Sequence, residues 1–209
     1  MSGDKAAKSP IMILPADVLR IEAQIHRFIP NMDAETFSLL TPALYEKKLQ
    51  KGEVFTRAGV VATDVGFVLD GAMHHYYTHD GVDRSTYFYF EDHFVAAYIS
   101  AITGQQSALT IEALTPCRLL VFPYQHLRSL YDVSPTWERF GRLLAEYLAM
   151  GLEERMAGLL MRSPEDRYRA LLAGGREKIL ARIPQHLIAS YLGVTPVSLS
   201  RIRARLARG

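Results

Sequence analysis

The spacing of apolar residues along the chain changes from a helical period to an alternating period and back again. In the first segment, Ile11–Phe28, apolar side chains recur every three or four residues, which predicts an amphipathic helix. A second short helix is predicted to start at a cap formed by Asn31 or Asp33 and to end before Pro42. The polar residues 1–10 are predicted to form a disordered tail.

From Tyr45 onward, short alternating segments rich in Val, Phe, Tyr and Thr are separated by glycine or proline turns. They predict strands near residues 44–48, 53–56, 65–70, 73–79, 84–90, 108–114 and 118–123. Asp80-Gly81 is the sharpest hairpin signal, because both residues tolerate the positive φ that a tight hairpin requires. Many short strands at this spacing are typical of a sandwich or barrel.

A long helical segment follows Ser134-Pro135 and extends for about 28 residues, or roughly 42 Å. Its apolar residues run along one side: Trp137, Phe140, Leu144, Tyr147, Leu148, Leu152, Met156, Leu159 and Leu160. Because this helix is too long for one small core, a parallel helix from a second copy is expected to cover the stripe. An ordinary core helix is the alternative.

The end of the chain predicts three further helices. Ser163 caps the first, which is predicted to stop at Gly174-Gly175. Pro184 suits the first position of the second helix, and Gly193 suits the left-handed residue that ends it. Thr195 is a good N-cap for the third helix.

The segment Ile183–Gly209 has the layout of a DNA-binding helix-turn-helix. Its second helix carries an apolar stripe of Leu199, Ile202 and Leu206, and its other face is rich in serine and arginine. The segment contains four arginines and no acidic residue, which suits a polyanionic partner. A solvated helical hairpin is the alternative.

Charge is distributed unevenly along the 209 residues, whose net charge is +2. The segment Arg167–Gly209 carries nine basic residues and one acidic residue, so the remainder is net acidic. Cys117 is the only cysteine, so neither an internal disulfide nor a cysteine-ligated cluster is expected. Neither a signal peptide nor a membrane-spanning segment is recognisable, which predicts a cytoplasmic protein.

Motifs of catalytic or metal-binding sites are not recognisable in the sequence. There is no Ser/His/Asp order, no P-loop and no metal-ligand spacing, so an enzyme is not expected. His74, His75, His79 and His93 lie in the strand region and are interpreted as exposed strand histidines. We therefore expect no metal and no cofactor.

The order of these elements resembles the Crp/Fnr family of bacterial transcription regulators. The residues that carry the resemblance are Lys51-Gly52-Glu53-Val54-Phe55, Gly66-Phe67-Val68-Leu69-Asp70-Gly71, Ser134-Pro135 and the run from Ile188 to Arg203. The chain is similar to a subgroup that ends soon after the recognition helix, without a β-wing. The resemblance implies an α+β fold with an N-terminal double-stranded β-helix, which is a jelly-roll-like β-roll. It also implies three parts: the sensor roll at 12–134, a dimerisation helix at 135–162 and a helix-turn-helix domain at 163–209.

In family members that bind cyclic AMP, the roll carries a phosphate cassette of the form F-x-G-E-L followed by R-S-A. Here Ala96, Ala97 and Gln106 replace its glycine, glutamate and arginine, while Ser107 and Ala108 match. Because each lost charged contact costs ~1.5–3 kcal/mol, cyclic AMP is not the expected effector. The residues expected to line a retained effector pocket are Tyr87, Tyr89, Phe94, Ala97, Tyr98, Gln106, Ser107 and Leu152.

The recognition helix also departs from the family pattern, in which Arg-Glu stands where this chain has Pro196-Val197. Arg201 is retained and is expected to contact a base edge, while Val197 is placed to touch a thymine methyl. The residues expected to contact DNA are Gln185, Thr195, Val197, Ser198, Ser200, Arg201, Arg203 and Arg205.

Together these features predict a homodimeric regulator that binds double-stranded DNA. Its expected partners are a second copy through residues 135–162, RNA polymerase and a small-molecule effector, with no membrane partner. Two alternatives stay open. One is an effector-free regulator of the same fold, and the other is a cyclic-nucleotide-type module that acts through protein contacts.

Overall fold

The computed structural model describes residues 13–173 and 177–207. The predicted tail at 1–10 and the predicted helix stop at Gly174-Gly175 lie outside the described residues. The outer limits of the predicted domains, residues 12 and 209, lie outside them as well.

Helices stand at both ends of the described chain and flank a region of strands. They are α1 (Pro15–His26), α2 (Ala34–Ser38), α3 (Tyr98–Thr103), α4 (Tyr124–Val133), α5 (Pro135–Met161), α6 (Pro164–Ala173), α7 (Glu177–Arg182), α8 (Gln185–Tyr191) and α9 (Pro196–Leu206). A 3-10 turn at Thr41–Ala43 leads into the first strand.

The strands form two antiparallel sheets of four strands each. They are β1 (Tyr45–Leu49), β2 (Val54–Thr56), β3 (Asp64–Asp70), β4 (Met73–His79), β5 (Val82–Tyr89), β6 (Phe94–Val95), β7 (Thr110–Ala113) and β8 (Cys117–Pro123). The strand orders are β1-β8-β3-β6 and β2-β7-β4-β5. Side chains from both sheets, including Val68, Met73 and Ile111, form a fully buried cluster. The predicted β-roll is therefore confirmed, and β6 is the strand that the sequence pattern missed.

The hairpin predicted at Asp80-Gly81 is confirmed. Asp80 has φ 51° and Gly81 has φ 72°, and the flanking pair is His79 with Val82. Two consecutive left-handed residues match the right-handed twist of the adjoining strands. Glycine reaches this region without steric cost, and aspartate is among the residues that tolerate it.

The predicted helices need five corrections, two of boundaries and three of missed helices. The first helix starts at Pro15 rather than residue 11, and Pro184 is the N-cap of α8 rather than its first residue. Pro184 is extended, with ψ 140°, because the chain must turn after α7 before the next helix begins. The sequence pattern also missed α3 and α7, and it missed α4, which begins directly after strand β8.

The long helix α5 has two environments along its 27 residues. Near its start Trp137 and Phe140 are buried, and Trp137 Nε1 donates a hydrogen bond of 2.9 Å to the carbonyl of Thr36. Beyond this region its large apolar side chains are exposed: Tyr147, Leu148, Met150, Leu152, Met156, Leu159, Leu160 and Met161. The N-terminal third of the helix thus belongs to the core of the roll, whereas the remainder leaves a long apolar surface uncovered.

Candidate functional site

The helix-turn-helix has the local geometry that the sequence predicts. Gly193, after α8, has φ 69°, which is the left-handed conformation that a glycine allows at the end of a helix. Thr195 caps α9, because its Oγ1 accepts a hydrogen bond of 3.2 Å from the backbone N–H of Ser198. Leu199 and Ile202 are buried in the domain core, so the opposite face of α9 points outward.

The outward face of α9 carries the residues expected to read bases. Val197 is 60% exposed, and Ser200 and Arg201 are exposed as well. Within residues 13–173 and 177–207, Arg201 makes no ion pair, so its guanidinium group stays available to a partner. A free arginine on an exposed helix face can donate two hydrogen bonds to a guanine edge.

Other residues expected to contact DNA are engaged inside the domain. Arg203 Nη1 donates a hydrogen bond of 2.6 Å to Oε1 of Gln185. Arg205 pairs with Glu165 of α6, which also accepts a hydrogen bond of 2.7 Å from Arg169. To contact a phosphate, Arg203 would have to give up its hydrogen bond to Gln185, and Arg205 its ion pair with Glu165.

The cassette region of the roll is closed by its own hydrogen bonds. Ser107 is 4% exposed, and its hydroxyl donates to the carbonyl of Leu109 at 2.8 Å while it accepts from the N–H of Leu109 at 3.2 Å. The N–H of Ser107 donates to the carbonyl of Val60 at 2.9 Å. Ala97 is 1% exposed, whereas Gln106 is exposed. The donors that would meet a cyclic phosphate are therefore occupied within the chain.

The aromatic residues assigned to an effector pocket lie in separate places. Tyr87 and Tyr89 are neighbours, with ring centroids 4.9 Å apart. Tyr89 packs against the buried cluster between the two sheets, whereas Tyr87 is 39% exposed. Phe94 packs against Phe140 at 6.0 Å, in the core cluster under α1 and α5. Tyr98 packs against Tyr124 in that same cluster, and Leu152 lies 70% exposed on α5. The structure thus brings together Tyr87 and Tyr89 and leaves the other large side chains elsewhere.

The interpretation of His74 as an exposed strand histidine is wrong. His74 is 4% exposed, lies between the rings of Tyr76 and Phe88 at 4.6 and 5.4 Å, and is hydrogen-bonded to Ser85 Oγ at 2.8 Å. His75 and His93 are half-buried. For His74 the reason is long-range, because α8 of the helix-turn-helix domain packs on strand β5, which carries Ser85 and Phe88 beside His74.

Acidification should destabilise the protein through His74 and His75. Burial, the largest cause, lowers the pKa of His74 to about 4; His75 and His186 add to this effect, and Asp83 opposes it. Burial likewise lowers the pKa of His75 to about 4. The unfolded chain binds these protons near pH 6.5, so stability is lost as the pH falls from about 6.5 toward 4. At pH 5.5, His74 and His75 should each lower the free energy of unfolding by about 1.4 kcal/mol.

Urea unfolding at pH 7.5 and 5.5 measures this loss. His74→Phe should remove the contribution of His74, about 1.4 kcal/mol, and His79→Gln, on the exposed hairpin, should leave the pH-dependent difference unchanged. Equal unfolding free energies for the native protein at the two pH values would contradict the assignment.

The sequence did not indicate the residues that join the roll to the helix-turn-helix domain. Ser190 of α8 accepts a hydrogen bond of 3.0 Å from the N–H of Ser85, and its hydroxyl donates to the carbonyl of Asp83 at 3.1 Å. Arg155 of α5 donates to the carbonyl of Tyr191 at 2.7 Å, and its guanidinium carbon lies 3.9 Å from the centroid of that ring. These partners are far apart in the chain, so no local spacing pattern could indicate them.

Comparison with known proteins agrees with this arrangement. Residues 46–134, which span the roll and α4, match the family model of the cyclic nucleotide-binding domain. The structure of FixK2 from Bradyrhizobium japonicum is similar, with TM-score 0.68 and 19% identity over 79% of this chain and 85% of that one. A CooA variant from Carboxydothermus hydrogenoformans has TM-score 0.67 and 13% identity over 95% of this chain and 88% of that one.

A third similar structure is described as a transcriptional regulator of the Crp/Fnr family from Eubacterium rectale, with TM-score 0.66 and 18% identity over 88% of each chain. The chain has the Crp/Fnr fold. No curated protein matches the sequence significantly.

Residues 13–173 and 177–207 contain neither a candidate membrane span nor a candidate metal site. No helix within them combines the length and the apolar character needed to cross a bilayer. No group of three or more His, Cys, Asp or Glu side chains in that part of the chain is arranged to hold a metal ion.

Proposed function

We propose that the protein is a homodimeric, DNA-binding transcriptional regulator whose roll acts as a sensor. The observation that carries this proposal is the exposed face of α9, on which Val197 and Arg201 stand outward on a helix capped by Thr195. The Crp/Fnr fold supports it. Two recognition helices would enter successive major grooves about 34 Å apart and read a pseudo-palindromic site. RNA polymerase is the proposed downstream partner.

The uncovered stripe of α5 supports the homodimer. Ala145, Leu152 and Leu159 are spaced by seven residues, with Leu148 and Met156 beside them, so they share one face of the helix. A contiguous exposed apolar surface of this kind marks an interaction site. A parallel α5 from a second copy would bury the stripe along its length.

The effector that we propose is a small molecule other than cyclic AMP. The cassette lacks the acidic and basic side chains for a ribose and a phosphate, and the hydroxyl of Ser107 is bonded to Leu109. The neighbouring rings of Tyr87 and Tyr89 offer aromatic surface, which suits a ligand with an apolar or planar part. The self-bonded cassette also favours the second candidate, a regulator without an effector.

Binding to duplex DNA at several salt concentrations tests the proposal. After a site has been selected from random duplexes, the logarithm of the affinity should fall linearly with the logarithm of salt concentration, with a slope of about −0.9 per phosphate contact. If the protein binds no duplex even at low salt, the DNA-binding proposal fails, and the remaining candidate is a cyclic-nucleotide-type module that acts through protein contacts.

A thermal-shift screen with nucleotides and metabolites separates the two regulator forms. Stabilisation by several degrees with any small molecule would rule out the effector-free form, because a ligand that binds only the folded state raises the melting temperature.

A further inference from the structure

Glu91, just after β5 in the roll, holds two cations of the helix-turn-helix domain. Its carboxylate accepts hydrogen bonds from Nζ of Lys178 at 3.0 Å and from Nη1 of Arg182 at 2.8 Å, both on α7. It also accepts a hydrogen bond of 3.2 Å from the N–H of Gly71. Lys178 and Arg182 are four residues apart, so they lie on one face of α7 and meet the same acid.

The surroundings strengthen this contact. The guanidinium carbon of Arg182 lies 5.3 Å from the ring centroid of Phe90, and Lys178 Nζ lies 6.0 Å from it. The side chain of Glu91 is 24% exposed. Burial raises the pKa of the Glu91 carboxyl. The hydrogen bonds from Arg182 and Lys178 together lower it by more than burial raises it, so the pKa falls to about 2. The carboxylate is therefore ionised at neutral pH.

The roll and the domain also share an apolar contact. Phe88 and Phe90 of the roll belong to one buried cluster with Tyr191, Leu192 and other core residues of the domain. The domain is thus docked on the roll by both apolar packing and ion pairs. In this docked position, the single carboxylate of Glu91 pairs with two of the cations in the basic C-terminal segment.

The position of Arg182 makes these charges relevant to DNA. Arg182 is three residues before Gln185, the first residue of α8, where a contact with the DNA backbone is expected. The N-terminus of a helix in a helix-turn-helix approaches the phosphates of the duplex. A cation that neutralises Glu91 cannot at the same time neutralise a phosphate, so roll and DNA compete for it.

Resting on the proposed function, we propose that Lys178 and Arg182 contact DNA phosphates and that Glu91 competes with DNA for them. The docked arrangement is then a state of low DNA affinity, and binding requires α7 to leave Glu91. An effector that loosens the contact between roll and domain would raise DNA affinity without touching the recognition helix.

Glu91→Gln tests the competition. It removes one charge and keeps the size of the side chain, so the free protein should lose the ion pairs with little change in packing. Fluorescence anisotropy should give about fivefold to thirtyfold tighter binding to specific and scrambled duplexes alike, because phosphate contacts are independent of sequence. Lys178→Gln and Arg182→Gln should each reduce the magnitude of the salt slope by about 0.9.

Asp92→Asn is the matched control. It removes the same charge from the neighbouring residue, but Asp92 pairs with Arg20 of α1, at 2.8 Å, rather than with the domain. Asparagine tolerates the left-handed φ of 67° at this position. We expect DNA affinity equal to that of the native protein.

Amide hydrogen exchange without DNA supplies a second measurement. Exchange in α7 should accelerate in Glu91→Gln and stay unchanged in Asp92→Asn. Faster exchange with unchanged or weaker DNA binding would overturn the competition and leave a purely structural contact. Unaltered salt slopes in the Lys178 and Arg182 variants would also overturn it.

The outcomes separate this inference from the proposed function. If the native protein binds DNA and Glu91→Gln binds no more tightly, the competition is refuted while DNA binding stands. If neither protein binds any duplex at low salt, the proposed function fails and the competition fails with it. Binding by Glu91→Gln alone would support both.

Discussion

Replacing Leu152 with aspartate should convert the dimer into a monomer without unfolding the chain. Leu152 is 70% exposed in the single chain, so the substitution leaves the folded protomer intact. In a parallel pair of α5 helices both copies of Leu152 would be buried, each contributing about 1.5–3 kcal/mol. Aspartate would also place two carboxylates without partners in the seam. The dissociation constant should rise at least about a hundredfold, as measured by sedimentation velocity over a range of concentrations.

Met150→Asp is the control on the same helix. Met150 is 63% exposed, but it lies about 160° around the helix from Leu152, at 100° per residue. This variant should remain dimeric. If Leu152→Asp keeps the native sedimentation coefficient while its circular dichroism is native, the dimer seam does not include Leu152.

Replacing Arg201 with alanine should weaken binding to the selected DNA site by about 1–3 kcal/mol, or roughly fivefold to 150-fold. Arg201 is exposed on the outward face of α9 and makes no ion pair within the described part of the chain, so its loss should not disturb the domain. Because a base contact carries specificity, one position of the site should become permissive. Affinity measurements on every single-base variant of the site identify that position.

Arg128→Ala is the charge-matched control, since Arg128 is exposed on α4 of the roll, outside the helix-turn-helix domain. It should change the specific affinity little. If Arg201→Ala lowers the affinities for specific and scrambled duplexes by the same factor, Arg201 contacts phosphate rather than a base.

Several features were predictable because they depend on a few neighbouring residues. Asp80-Gly81 forms a hairpin because its residues reach positive φ, and Thr195 caps α9 through a hydrogen bond to Ser198, three residues on. Gly193 ends α8 for the same kind of reason. Periodicity then identified seven of the eight strands that the structure shows in the roll, and nearly the full length of α5.

The arrangement of the candidate sites was less predictable. Tyr87 and Tyr89 were expected to line one pocket with Phe94 and Tyr98. In the structure Tyr89 packs against the interior cluster of the roll, while Phe88 and Phe90, which alternate with the two tyrosines, pack against the helix-turn-helix domain. Strand alternation separates the two pairs, but it does not specify which element covers each face. Phe94 and Tyr98 pack against a third cluster, the one under α1 and α5, and the strand pattern did not specify this either.

Local chemistry in the chain was enough to identify the Asp80-Gly81 hairpin, the Thr195 cap, the long helix α5 and the basic helix-turn-helix. Contacts between distant segments decided which of these surfaces are covered. Ser190 bonds to Ser85, 105 residues earlier, and Arg182 bonds to Glu91, 91 residues earlier. A periodic pattern states which side chains share a face, but burial, pKa and ion pairing depend on the element that packs there. The buried state of His74 and the competition for Lys178 and Arg182 therefore emerge only from the folded chain.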